Sequence, residues 1–174
     1  TPSRKISDYY GDYLEWIKTD NINTPAMYLT KASEYLSEKG QKVARVVDPG
    51  AILVTCIAGS RRVIGNASLA NRRVAFNQQI NALVPKDGNS LFLYYHFLIA
   101  KKYIQSFSTS SMKGMITKRK FEQIEFIQPP KELQNRFGDI IIMIEKQKEF
   151  TRTSLKKSED LFQSLLQRAF KGEL

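Results

Sequence analysis

The sequence predicts an α+β fold: a mixed globular domain over residues 1–130, then one long coiled-coil helix over residues 131–174. Two observations predict it. Short runs rich in β-branched and aromatic residues, each ended by Gly, Pro, Asn or Asp, recur through the first part and read as strands. From Lys131 to about Lys171 there is no Pro, Gly138 is the only Gly, and apolar residues recur at steps of three and four. Pro129-Pro130 marks the boundary between the two parts.

Leu14–Lys18 reads as a strand anchored by Trp16, followed by a turn-rich TDNINTP. Thr30 is placed to cap a helix through TKASEYLSEK, with Gly40 ending it. KVARVV and AILVTCIA, joined by Asp48-Pro49-Gly50, read as a β-hairpin. Short strands follow over Arg62–Ala70, Arg73–Phe76 and QINALV. Ser90 is placed to cap the aromatic helix LFLYYHFLIAKKYIQSF, and the polar loop STSSMKGM comes next. Thr117 caps a brief helical turn, KRKFEQI, which leads into a strand, IEFI. In the long helix the apolar stripe comprises Leu133, Phe137, Ile140, Ile144, Leu161 and Leu165, with a polar middle at Gln147, Thr151, Ser154 and Ser158. A stripe of that length exceeds what a small domain can cover, so a partner helix is expected.

Charge divides unevenly between the two parts. Residues 1–130 hold 18 Lys/Arg against 10 Asp/Glu, and residues 131–174 hold 9 against 7. A basic domain attracts polyanions, of which nucleic acid is the commonest in a cytoplasm. No run approaches the roughly 20 apolar residues of a membrane helix. Cys56 is the single cysteine, which excludes a disulfide framework and a cysteine-cluster zinc site; a reducing, cytoplasmic setting fits best.

Motifs for chemistry are missing. There is no Asn-Pro-Pro-Tyr or Pro-Cys signature of a DNA methyltransferase, no Asp/Glu-x-Lys tripeptide of a restriction-type nuclease, and no phosphate-binding G-x-x-x-x-G-K-[ST]. His96, the sole histidine, lies on the aromatic helix and reads as a packed residue; Cys56 within an apolar strand reads as an inert thiol. The expectation is a non-catalytic chain with no cofactor and no metal.

Five segments, in order, resemble the specificity subunits of type I restriction–modification systems: TPSRKISDYYGDYLEWIKTDNI, PGAILVTCIAGSRRVIGNASLA, VAFNQQINALVP, ITKRKFEQIEFIQPPKELQNRF and LFQSLLQRAFKGEL. The resemblance implies that residues 1–130 form a DNA target-recognition domain and residues 131–174 a conserved spacer and dimerisation helix. It also implies that methyl transfer from S-adenosylmethionine and ATP-driven cleavage belong to separate modification and restriction subunits. A full specificity subunit has two recognition domains and two spacer helices; this sequence has one of each. It reads either as a half-length subunit that pairs with itself through antiparallel helices, or as a fragment, and the start at Thr1 without a Met fits a truncated N-terminus.

For DNA contact the candidates are the paired arginines Arg61-Arg62 and Arg72-Arg73, at successive turns and expected to share one face. Ser110, Ser111 and Lys113, beside Gly114, form a second candidate loop. Asn77 and Gln78 fall in the stretch the resemblance marks as framework and are expected to fix backbone; Tyr94, Tyr95 and Phe97 read as core. Two alternatives remain: a basic, non-enzymatic nucleic-acid- or protein-binding module whose globular part binds RNA or a protein and whose coiled-coil tail mediates assembly, and a recognition domain detached from a fused restriction–methylation enzyme. The first lacks an RNP-type aromatic strand or a GXXG clamp.

Overall fold

The computed structural model describes residues 1–109 and 114–173. Its seven strands are β1 (Tyr10–Ile17), β2 (Tyr35–Leu36), β3 (Arg45–Val47), β4 (Ile52–Thr55), β5 (Ala67–Leu69), β6 (Val74–Phe76) and β7 (Ile80–Leu83). Its helices are α1 (Glu38–Val43), α2 (Ser90–Ile99), α3 (Lys101–Ser106), α4 (Lys118–Phe121) and α5 (Lys131–Phe170). The strands form a four-stranded sheet in the order β2-β1-β6-β3 and a three-stranded sheet in the order β5-β4-β7. The β1–β6 pair is parallel and the others are antiparallel.

Strand β4 explains how the two sheets share one body. All four of its residues are buried, and successive side chains point to opposite faces. Leu53 joins Ile17, Val47, Val74 and Phe76 of the other sheet. Ile52 and Val54 face the helices, where they meet Tyr94, Phe97 and Ile104. A strand covered on both faces has to be largely apolar, as Ile52, Leu53 and Val54 are, while the buried Thr55 hydroxyl at its end donates to the Asn23 side-chain carbonyl.

That double burial also explains why the expected hairpin does not form. β3 pairs with β6, Val47 opposite Val74, whereas β4 pairs with β5 and β7, Ile52 opposite Leu69 and Leu83. Asp48-Pro49-Gly50 carries the chain from one sheet to the other, with Gly50 at φ +93° donating its N–H to the Ala70 carbonyl. The helix expected over TKASEYLSEK is also absent. Tyr35–Leu36 pairs with β1, and the helix starts later, where the Ser37 hydroxyl accepts from the Gly40 N–H at 3.1 Å. Gly40 lies inside α1, where a Cβ would collide with the Tyr9 carbonyl, so the helix and the start of β1 touch through bare backbone.

Three smaller expectations also change. Arg61–Val63 is a single 3-10 turn, leaving only Ala67–Leu69 as strand in that stretch. The aromatic helix begins at Ser90 but is capped by Asn89, which accepts from the Leu91 and Phe92 N–H groups, and it breaks at Ala100. Among the described residues Ile124–Ile127 has no ladder partner; Phe126 packs its ring against His96 and Phe97 instead. Thr117 does cap α4.

α5 runs 40 residues, about 60 Å at 1.5 Å per residue. One face docks on α2. Gln134, 2 % exposed, accepts from the Asn89 N–H and donates to the Pro129 carbonyl. At Gly138 a Cβ would stand 2.8 Å from the Asn89 amide nitrogen, so the helices meet where no side chain fits. Phe137 sits edge-on to Phe92 and Tyr95 and thus belongs partly to this docked face rather than wholly to the free stripe. The other stripe residues, Leu133, Ile140, Ile144, Leu161 and Leu165, are exposed. Among the described residues no helix is long and apolar enough to cross a membrane.

Candidate nucleic-acid interface

Beyond the end of β4 three segments converge. The Ile116 N–H donates to the Cys56 carbonyl at 2.8 Å, Ile57 bridges Met115, and the Ala58 N–H donates to the Gly114 carbonyl at 3.3 Å. The turn that follows is shaped locally: the Ser60 hydroxyl accepts from the Arg62 N–H, and fully buried Ile64 anchors the far side. Gly65, at φ +80°, lets the chain lie directly on Ile104 and Lys101 of α3. The result presents Arg61 and Arg62 exposed, with Lys101 alongside and Lys118, Arg119 and Lys120 of α4 following from the Cys56–Ile116 tie. Among the described residues the one ion pair in this group is the exposed Lys118–Glu122 contact, at 3.5 Å. Exposed cations on adjoining segments, few of them in ion pairs, attract a phosphate backbone.

The expected loop residues Ser110, Ser111 and Lys113 lie outside the described residues. Their flanks do not: the Thr109 N–H donates to the Met115 carbonyl at 3.0 Å, and a Cβ on Gly114 would stand 3.5 Å from the Arg61 Cα. The attachment points of that loop are therefore beside the arginine turn.

Arg72 is different, and the expectation that it contacts DNA is withdrawn. A guanidinium has five N–H donors, and here all five are occupied within the chain. Two bind Glu15, and the rest go to the Leu29 and Thr30 carbonyls and to Asn71. Burial alone would raise the Glu15 carboxyl, but the Arg72 hydrogen bond, the Ala32 N–H and the nearby positive charge hold it below its ordinary value. Arg73 is exposed and pairs with Asp48 at 3.0 Å. Nor do the two arginine pairs share a face. The β4–β5 ladder runs from Val54–Ala67 to Ile52–Leu69 and on to Ala51–Ala70. Arg61-Arg62 lies beyond one end of it and Arg72-Arg73 beyond the other.

The remaining sequence candidates fall into place as packing. Asn77 accepts the Gln79 N–H and donates its own N–H to the Ile17 carbonyl, fixing the turn between β6 and β7. Burial pushes the Cys56 thiol up to about 12, so the reactive thiolate is not populated near neutrality. His96 lies between the Phe92 and Phe126 rings, with burial pulling it below its ordinary value. Among the described residues no cluster of His, Cys, Asp or Glu could hold a metal ion. The sequence reading did not weigh the basic run of α4, visible as Lys118-Arg119-Lys120, as part of this surface.

Comparison with known proteins fits this architecture. Residues 1–159 match the family model described as the type I restriction modification DNA specificity domain. The chain belongs to this family. Among curated relatives, the type I restriction enzyme MjaIX specificity subunit of Methanocaldococcus jannaschii is 29% identical over 147 residues, covering 81% of this chain and 33% of that protein. The HindI specificity subunit of Haemophilus influenzae is 26% identical over 180 residues, covering 100% of this chain and 38% of its own length. A solved chain from work on complex assembly and conformational transition of the type I R-M system superposes with a TM-score of 0.66 at 21% identity, covering 100% of this chain and 42% of that one. Its agreement supports the α+β domain and long helix as the family fold. The chain thus spans little more than a third of the length of the curated relatives it matches.

Proposed function

We propose that this chain is a DNA-reading element of a type I restriction–modification complex. It performs no catalysis itself and directs separate modification and restriction subunits to a bipartite target. The observation that carries the reading is the exposed Arg61-Arg62 turn, with Lys101 near Gly65 and with Gly114, shortly before the α4 cations in sequence, packed beside Arg61, in a domain of this family. Arg61 and Arg62 are assigned as contacts, with Ser110, Ser111 and Lys113 of the adjoining loop; Arg73 is a peripheral phosphate contact at most, being paired with Asp48.

The test is reconstitution. The pure chain with duplex DNA, Mg²⁺, ATP and S-adenosylmethionine should neither cleave nor methylate, whereas adding modification subunits should give methylation at one interrupted sequence. Turnover by the chain alone, or a methylated site that stays the same when another specificity relative replaces this chain, would overturn the reading.

The exposed stripe of α5 supports self-association. In a two-fold antiparallel pairing, Leu133, Ile140 and Ile144 of one helix meet Leu161 and Leu165 of the other, and the polar residues around Thr151 cross at the centre. That places two recognition domains at the ends of a rod of about 60 Å, able to read half-sites on successive turns of about 34 Å. A second reading is favoured by the partial coverage of the relatives: the chain is a portion of a longer polypeptide that supplies the partner helix itself. Light scattering at tens of micromolar separates them, a monomer removing the homodimer.

A further inference from the structure

The arginine turn is held by one side chain from another element. The Gln105 amide nitrogen, on α3, lies 3.1 Å from the Arg61 carbonyl, 3.0 Å from the Ile64 carbonyl and 3.5 Å from the Arg62 carbonyl. Three carbonyl acceptors require a donor, so it is the NH₂ end of the amide that faces the turn. A second connection runs the other way, through the main chain: the Arg61 guanidinium donates to the Gln105 backbone carbonyl at 3.3 Å. The Ser108 hydroxyl donates to that same carbonyl at 2.8 Å, tying in the start of the neighbouring loop. Ile64 and Ile104, both fully buried, fix the turn and α3 to the same core. The turn carries its own Val63–Ser60 and Ile64–Arg61 backbone hydrogen bonds and the Ser60 hydroxyl on the Arg62 N–H, and the Gln105 amide adds the side-chain tie from its Arg61, Arg62 and Ile64 carbonyls to α3.

We infer that Gln105 is a positioning residue for DNA recognition, acting through Arg61 and Arg62 by holding their backbone in the conformation that binds. The inference rests on the reading of that turn as a DNA contact. Gln105 is only partly exposed and its amide nitrogen faces protein carbonyls, so its contribution is pre-organisation: a turn already ordered loses less freedom when it meets phosphate or a base edge.

The informative substitution is Gln105→Met, which keeps length and packing but has no donor. Binding of the full chain to mixed-sequence duplex DNA is measured by fluorescence anisotropy for four proteins: parent, Q105M, R61A/R62A and the triple variant. A thermal melt and hydrogen exchange at the Arg62 amide accompany the titrations. The expected result is a loss of roughly three- to ten-fold for Q105M in the parent background, faster exchange at Arg62, and no further loss when Q105M is added to R61A/R62A. A Q105M effect of equal size in both backgrounds, or no effect in the parent, overturns the positioning role while leaving the contact assignment standing. If R61A/R62A binds as tightly as the parent, the contact assignment itself fails, and the positioning role with it. Gln105→Asn, too short to span the gap, should reproduce Q105M; parent-like binding by it would count against the inference.

Discussion

Replacing Arg72 by Ala should damage folding and spare DNA binding. The guanidinium is about one third exposed and its partner Glu15 only 12% exposed. Removing it strands a largely buried carboxylate and leaves the Leu29 and Thr30 carbonyls without their donor. Breaking a fully buried pair costs about 3–5 kcal/mol; with solvent reaching Arg72, about 2–3 kcal/mol is the better figure. For a chain of this size each kcal/mol moves the midpoint by roughly 2–4 °C, so calorimetry should show a drop of about 5–10 °C. The deficit should depend on pH. Glu15 is held below its ordinary value in the folded state, so its contribution is fully present above the unfolded carboxylate value near about 4.3 and is lost as pH falls through the depressed folded value. Parent and variant melting curves should therefore converge in acid. Below the midpoint, at neutral pH, the folded variant should bind duplex DNA like the parent. A variant that melts with the parent yet binds DNA poorly would refute the claim that all five donors serve the fold.

The converse pair, R61A/R62A, should leave the melting midpoint nearly unchanged, as surface substitutions do. It should also lower the salt slope of DNA binding by about 1.8, or about 0.9 for each phosphate that is no longer neutralised; an unaltered slope would remove the phosphate role. Ile144→Asp with Leu161→Asp should convert the proposed α5-paired dimer to monomer in light scattering with the far-ultraviolet spectrum and domain melt retained, and a dimer that persists would place the interface elsewhere. Gly138→Ala pushes a methyl into the Asn89 amide and should cost about 1–3 kcal/mol, read as earlier proteolysis between residues 128 and 140; a fully parent-like cleavage pattern would show that Asn89 simply moves aside.

What the sequence discloses depends on how local the deciding interaction is. α5 is legible because Pro is absent and the apolar spacing persists for forty residues; Thr117 is legible as a cap because it acts three residues away. Tyr35 and Leu36 looked helical because their extended conformation is imposed by β1, distant in sequence. The two arginine doublets are alike in local sequence, each after a turn. What separates them is Glu15, 57 residues from Arg72, and Gln105, 44 residues from Arg61. Both are tertiary facts, and no window around either doublet contains them. In the proposed contact surface, Arg61 and Arg62 stand out as residue types and α4 as a charge run, whereas the Cys56–Ile116 tie that links their segments is again tertiary.

The seam between α2 and α5 sets a lever arm. From Gly138 to Phe170 the helix extends about 48 Å at 1.5 Å per residue. A tilt of roughly 5° at Gly138 would carry the far end about 4 Å sideways, more than the rise of about 3.4 Å between neighbouring base pairs. Buried Gln134, pinned between the Asn89 N–H and the Pro129 carbonyl, and a glycine pressed against the Asn89 amide restrict that tilt at its fulcrum. In the proposed spacer role, a wobble of a few degrees here would swing the far end sideways while barely changing the reach along the helix axis. Angular tolerance at this small contact would therefore set how precisely the proposed spacer aims whatever lies at its far end.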